Sequence, residues 1–175
     1  MQAMPAWHVP ARDAWVIGLT DLGHGQGVIP LSVLLVLYSA ARGQWRRAVF
    51  VAIAMAGSGV LNTAVKHVMA RPRPGLWSPL VDESTWSFPS GHAMGSASFA
   101  TVLVLLAWPG RWRWPVALAA GLFAVLVGLS RPYLGVHWPS DIVAAWLLGP
   151  AWVLAMYMLV WRQRGRDLCR STDIS

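Results

Sequence analysis

The 175-residue chain reads as an all-α protein, a polytopic bundle of transmembrane helices with five spans and a short N-terminal interfacial helix. Three observations predict this. Apolar residues make up 56% of the chain and charged residues only 12%, about half of the roughly 25% usual in soluble domains. Five stretches carry no Asp, Glu, Lys or Arg: Leu22–Ala41, Ala48–Val65, Ala93–Gly110, Trp114–Ser130 and Ile142–Trp161. Each has 17 to 20 residues, and a helix needs roughly 17–25 to cross the hydrocarbon core. The basic residues, finally, are distributed unequally between the two sides that these runs imply.

Arg42, Arg46 and Arg47 follow the first run, Arg111 and Arg113 the third, and Arg162, Arg164, Arg166 and Arg170 the fifth. By parity they share one side of the membrane. Arg12, Lys66, Arg71, Arg73 and Arg131 share the other with Asp13, Asp21, Asp82, Glu83 and Asp141. Loops rich in Lys and Arg stay cytoplasmic, so the C-terminus is expected in the cytoplasm and Lys66, His92 and His137 outside. The net charge of +7 is thereby explained by topology, and nucleic acid is not an expected partner.

The chain is expected to form a single domain over residues 1–175: an interfacial segment 1–21, a helical core 22–161 and a basic cytoplasmic tail 162–175. The apolar "AWVIGLT", Ala14–Thr20, is too short to span, and Trp7 and Trp15 suit the membrane interface. The glycine-rich "DLGHGQG" then leads into the first span near Val28. Trp45, Trp108, Trp112, Trp114 and Trp161 fall at predicted cytoplasmic ends, and Trp77, Trp86 and Trp138 at outer ends, as aromatic belts do. Gly57, Gly59, Gly91, Gly95 and Gly121 are expected to let helices approach. The longest outer loop, Arg71–Pro89, is long enough for a partial lid; Asp82 and Glu83 in it read as solvated loop charge. No basic segment precedes an apolar core at the N-terminus, so no cleavable signal peptide is expected. Cys169, alone, reads as an incidental thiol.

Three polar clusters fall on the outer rim. "KHVMARPRP", Lys66–Pro74, places the single lysine and Arg73 where the second span emerges, with prolines ending the helix. "FPSGHA", Phe88–Ala93, is a helix start with Ser90 as its cap, an anion site built from free backbone N–H groups and the helix dipole. Gly91 lets an anion approach the backbone, and His92 stands in the first turn. "SRPYLGVHWPSD", Ser130–Asp141, puts Arg131 before Pro132, which is expected to terminate the fourth span. Pro139 opens the fifth helix, with His137 in the turn and Asp141 four residues on. That spacing lets the carboxylate hold one imidazole nitrogen while the other faces outward. Three cations, a helix N-terminus and two histidines, one held by an aspartate, suit an oxyanion, a nucleophile and a proton donor. Phosphoryl transfer asks for that combination. The residues alone leave open which histidine attacks, although Asp141 favours His137.

Lys66-x6-Arg73-Pro74, Pro89-Ser90-Gly91-His92 and Ser130-Arg131-x5-His137-x3-Asp141 resemble, in type, spacing and order, the three signature motifs of the type 2 phosphatidic acid phosphatase superfamily. The resemblance implies that His137 is the nucleophile forming a phosphohistidine and that Asp141 orients it. It implies that His92 protonates the leaving oxygen and then activates water, while Lys66, Arg73, Arg131, Ser90 and the Gly91 backbone hold the phosphate. Membrane members need no metal or other cofactor, in keeping with the lack of a carboxylate cluster for Mg²⁺. They commonly have six spans, so the present chain reads as a reduced arrangement whose first span is cut down to residues 1–21, a difference expected to leave the site untouched.

The expected function is a lipid phosphate or diphosphate phosphatase of a bacterial inner membrane, its site on the outer face and its partner a membrane lipid phosphate. Undecaprenyl diphosphate leads, followed by phosphatidylglycerophosphate and phosphatidate. A phosphotransferase to a lipid acceptor and a non-catalytic lipid-phosphate binder or transporter are the alternatives; binding alone needs neither His92 nor the His137–Asp141 pair.

Overall fold

The computed structural model describes residues 8–75, 79–81 and 83–172, with side chains through residue 161. Trp7, Trp77, Asp82 and the side chains of the basic tail, Cys169 among them, lie outside the described residues. Among the described residues six helices follow one another: α1 (Pro10–Leu22), α2 (Val28–Ala41), α3 (Trp45–Met69), α4 (Gly91–Ala107), α5 (Arg113–Tyr133) and α6 (Pro139–Thr172).

Among the described residues, three helical segments are long and apolar enough to cross a membrane: Trp45–Met69, Arg113–Tyr133 and Pro139–Trp161. Helices α2 and α4 have 14 and 17 residues, or about 21 and 26 Å at 1.5 Å per residue. They are shorter than the charge-free runs that contain them for local reasons. Residues 23–27 close as a turn, with Gly27 lying so near the Leu22 carbonyl that a Cβ there would stand 2.2 Å from its oxygen. At the other run, Trp108-Pro109-Gly110 ends α4. Absence of charge marks a stretch that tolerates lipid, and the helix within it stops where Gly and Pro stop it.

Helix α4 is the hub, packing against α2, α3, α5 and α6. Its buried stretch Ala93, Met94, Ser96, Ala97, Ser98, Phe99, Ala100 is mostly small. In lipid, where apolar surface gains little by leaving its surroundings, small side chains let helices gain dispersion contact. Ser58 of α3 and Ser98 of α4 share a buried hydrogen bond of 2.8 Å. Below the site, Phe50, Val51, Ala54, Val102 and Val153 form a closed apolar core. Gly57 and Gly128 lie flush against Trp152 and Trp146, where a Cβ would come within 2.3 Å of the indole carbons. Of the glycines marked from sequence as helix contacts, Gly57 fills that role; Gly59 and Gly121 have nothing within 4 Å, and Gly128 and Gly149 take their place. Outward-facing Val60, Leu118 and Leu147 are 70%, 76% and 67% exposed, a belt that water would not tolerate and lipid tails would.

One expectation about the fourth span needs correction. Helix α5 runs past Arg131 and through Pro132 to Tyr133, closing with Leu134 N–H on the Ser130 carbonyl at 3.0 Å. A proline in the last turn removes one N–H, and here the chain keeps helical geometry for two further residues. Helix α1 lies on α5, held by Tyr133, which donates to Asp13 at 2.6 Å and accepts from Arg12 Nε at 3.0 Å.

Candidate active site

The ends of α3 and α5 and the starts of α4 and α6 meet at one rim, tied there by backbone: Ser90 N–H donates to the Asp141 carbonyl at 3.3 Å, and Ser87 N–H to that of Arg71 at 3.0 Å. Ser90 caps α4, its hydroxyl accepting from Ala93 N–H at 3.4 Å. Pro139 opens α6. Both features depend on a few adjacent residues, so they were legible in the sequence.

His137 sits in the turn before α6, 3% exposed, and Asp141 is fully buried. His137 Nδ1 lies 3.4 Å from Asp141 Oδ2, and its Nε2 lies 3.3 Å from Arg73 Nη1. A guanidinium only donates, so Nε2 accepts and the ring proton belongs on Nδ1, facing the carboxylate. That assignment rests on the network of donors. It leaves the Nε2 lone pair turned towards the cations. Burial first, and then the cations Arg73, Arg131 and Lys66, push His137 below its ordinary pKa, against the opposing effect of the hydrogen bond it donates to Asp141. The imidazole is therefore held neutral.

Asp141 is fixed from two further sides. Trp138 N–H donates to Oδ2 at 2.9 Å, and Arg71 Nη1 donates to Oδ1 at 2.8 Å. Arg71 also reaches Ser140 Oγ at 2.8 Å and lies over the Trp138 ring, 5.4 Å from its centroid. In this segment the sequence points to Arg73 and not to Arg71; nothing local marks Arg71, because its partner lies 70 residues away.

Arg73 is spread over the loop that follows: Nε donates to the Thr85 carbonyl at 2.8 Å and Nη1 to the Val136 carbonyl at 2.8 Å. Lys66 Nζ donates to Thr85 Oγ1 at 3.1 Å and to the Trp86 carbonyl. Arg131, 1% exposed, gives Nη1 to Thr20 of α1 at 3.0 Å and Nη2 to the Glu83 carboxylate. Its Nε finds no hydrogen-bond partner among the described residues.

Glu83 is thus no solvated loop charge. Besides Arg131 it stands 3.5 Å from Arg73 Nη2 and 3.9 Å from His92 Nδ1. A carboxylate here occupies the focus of the cations. The N-terminal segment also reaches the site, through Thr20 and through His24, whose ring lies 4.8 Å from that of His92. The expectation that its reduction leaves the site untouched is therefore corrected.

Lys66, Arg73, Gly91, His92 and His137 line one cavity of about 720 Å³ together with Glu83 and Arg71; Asp141, Ser90 and Arg131 stand behind its wall. It adjoins an apolar groove of about 970 Å³ between α2, α3 and α4, running from Gly91 and Asn62 past Met55 to Val36. The two share His24, Asn62, Thr63 and Gly91. All eight residues singled out for the site are brought to one place.

An oriented neutral imidazole beside clustered cations, at the rim of apolar helices and open to an apolar groove, is equipment for moving a phosphoryl group at a bilayer surface. Fold and site together define a membrane-embedded phosphatase. The family profile described as PAP2 superfamily matches residues 47–165, and the chain belongs to that superfamily. It is 34% identical over 161 residues to phosphatidylglycerophosphatase B of Bacillus subtilis (strain 168), covering 85% of this chain and 75% of that one. Over 150 residues it is 34% identical to an undecaprenyl-diphosphatase of Sulfolobus acidocaldarius, covering 83% and 68%. Among solved structures, the transmembrane PAP2 type phosphatidylglycerolphosphate phosphatase from Bacillus subtilis matches with a TM-score of 0.79 at 30% identity, over 87% of this chain and 78% of that one. Aquifex aeolicus LpxE matches with 0.70 at 25% identity, over 86% and 88%.

Proposed function

We propose that the protein is a metal-independent lipid phosphatase that works through a phosphohistidine at the outer face of a bacterial inner membrane. The observation that carries this reading is the placement of His137, its Nδ1 3.4 Å from Asp141 and its Nε2 3.3 Å from Arg73. In the first step Nε2 attacks phosphorus, the bond from phosphorus to the lipid oxygen breaks, and His92 gives its proton to that oxygen. Asp141 stabilises the positive ring that forms. In the second step His92 takes a proton from water, the hydroxide attacks phosphorus, and the N–P bond breaks to restore His137. Lys66, Arg73 and Arg131, with Ser90 and the Gly91 backbone, carry the oxyanion charge that a metal carries in other phosphoryl-transfer sites. For phosphate to reach Arg131, it takes the place of Glu83.

The apolar groove beside the cavity supports a lipid leaving group, and the names of the relatives support undecaprenyl diphosphate, phosphatidylglycerophosphate or phosphatidate as that lipid. Five spans, α2 to α6, with α1 at the outer interface and the tail in the cytoplasm, best reconcile the helices with the basic loops. The whole chain then acts as one domain. The test is phosphate release by detergent-purified protein from the three lipids and from a soluble phosphate ester. The lipids are expected to be preferred and His137→Ala to be inactive. Undiminished release by His137→Ala, or equal rates on the soluble ester, overturns the reading.

A further inference from the structure

The mechanism above makes no use of His24, which lies in the turn between α1 and α2. The turn is wedged in place. A Cβ on Gly23 would stand 2.3 Å from Val127 Cγ1 of α5, and the Gly23 carbonyl lies 3.7 Å from where a Cβ on Gly95 of α4 would be. With Gly27 closed against Leu22, the backbone delivers the His24 ring to one spot. That spot is beside His92, at 4.8 Å between centroids and 33° between planes, with Nε2 3.9 Å from the Cβ position of Gly91.

Four residues line both the phosphate cavity and the apolar groove: His24, Asn62, Thr63 and Gly91. They form the throat a lipid must pass. The side chains of three of them have no donor left for a phosphoryl oxygen. Asn62 spends its amide N–H groups on the Pro89 carbonyl at 3.3 Å and on Met94 Sδ at 3.5 Å, Thr63 gives its hydroxyl to the Gly59 carbonyl at 3.1 Å, and Gly91 has no side chain. The His24 imidazole makes no hydrogen bond among the described residues, and its ring contact with His92 leaves the N–H edge available.

In-line attack by His137 puts the leaving oxygen on the far side of phosphorus, at His92, and the next atoms of the substrate then fall at His24. In a lipid monophosphate that next group is carbon, which leaves an imidazole N–H unmatched in the throat. In a lipid diphosphate it is a second phosphoryl group with two oxygens that accept. We propose that His24 is a specificity-determining residue that donates a hydrogen bond to the second phosphoryl group of a lipid diphosphate, so that the site favours a diphosphate over the monophosphate of the same chain. This rests on the lipid-phosphatase reading and adds to it the choice of substrate class.

The test compares farnesyl diphosphate with farnesyl monophosphate in detergent for the wild-type protein, His137→Ala, His24→Phe and His24→Gln. Phe keeps a ring against His92 and removes the donor; Gln restores a donor near Nε2. The ratio of the two kcat/KM values, diphosphate over monophosphate, is expected to fall by about tenfold in His24→Phe, the worth of one hydrogen bond to a charged group. Most of that ratio is expected to return in His24→Gln. An unchanged ratio in His24→Phe, whether both substrates lose equally or neither loses, overturns the proposal. A wild-type protein that releases phosphate from neither lipid, or a fully active His137→Ala, overturns the lipid-phosphatase reading itself and takes this proposal with it.

Discussion

Arg131, at the end of α5, gives its Nη2 to the carboxylate of Glu83, 48 residues earlier in the chain. The partnership closes the loop between α3 and α4 over the site, since Glu83 also approaches Arg73 at 3.5 Å and His92 at 3.9 Å. An internal carboxylate and an incoming phosphate compete for the same donors. Glu83→Gln removes the charge and keeps the shape. Competitive inhibition by inorganic phosphate or vanadate is expected to tighten by about tenfold, the order of one charge-assisted hydrogen bond. Weaker inhibition in the variant would show that Glu83 helps to hold the anion.

Asp141 depends on Arg71 as well as on His137. With Arg71 Nη1 at 2.8 Å from Oδ1, the carboxylate is held so that Oδ2 faces the imidazole. Arg71→Gln is expected to lower kcat by roughly tenfold to a hundredfold, the worth of one charged hydrogen bond in the barrier. KM for the lipid is expected to change less than threefold, because the loss acts through Asp141. Arg71→Lys, which keeps a donor, should recover part of kcat. A large rise in KM with kcat intact would assign Arg71 to substrate binding.

The proposed attack requires neutral His137. Burial depresses its pKa below the ordinary value of about 6.5. The imidazole stays neutral down to that depressed value and is protonated only beneath it, so the acid limb of kcat/KM is expected below pH 6.5. The hydrogen bond that His137 donates to Asp141 acts in the other direction. Asp141→Asn should therefore move the limb further towards acid while lowering kcat by about 10³-fold or more, as loss of the correct tautomer does. A pH profile with its acid limb above 6.5 contradicts this assignment.

The helix contacts make a stability prediction. Gly57→Ala and Gly128→Ala each place a Cβ 2.3 Å from a tryptophan ring carbon and are expected to destabilise by about 1–3 kcal/mol. Gly59→Ala and Gly121→Ala enter open space and should be neutral or stabilise by up to about 1 kcal/mol through helix propensity. Thermal melts in one detergent separate the two pairs. Equal effects across all four would disprove the packing account.

Much of the site was legible in the sequence, wherever the cause was local. Ser90 caps the residue three positions on, His137 meets Asp141 one turn later, and Pro139 starts the helix that carries it. Alternating basic loops likewise ordered the apolar runs. Helix ends were less evenly legible: α2 begins at Val28, where its glycine-rich entry put it, but α5 passes through Pro132. Charge patterning reports where lipid is tolerated, and it is silent on where the backbone stops coiling.

What no single stretch of chain contains is the set of partners drawn from distant segments. Glu83 read as loop charge because its cations lie on α5 and beyond α3. Arg71 had no role assigned from sequence because Asp141 lies 70 residues on. His24 read only as part of a glycine-rich entry to the first span, yet the packing of Gly23 against Val127 and Gly95 aims it at His92. The sequence by itself determined a membrane bundle and the chemical kinds gathered at its rim, because hydropathy, capping and i to i+4 geometry act within a few residues. Only the tertiary structure decided which carboxylate faces which cation, since those pairings exist once four helix ends and a loop are packed into the same few ångströms.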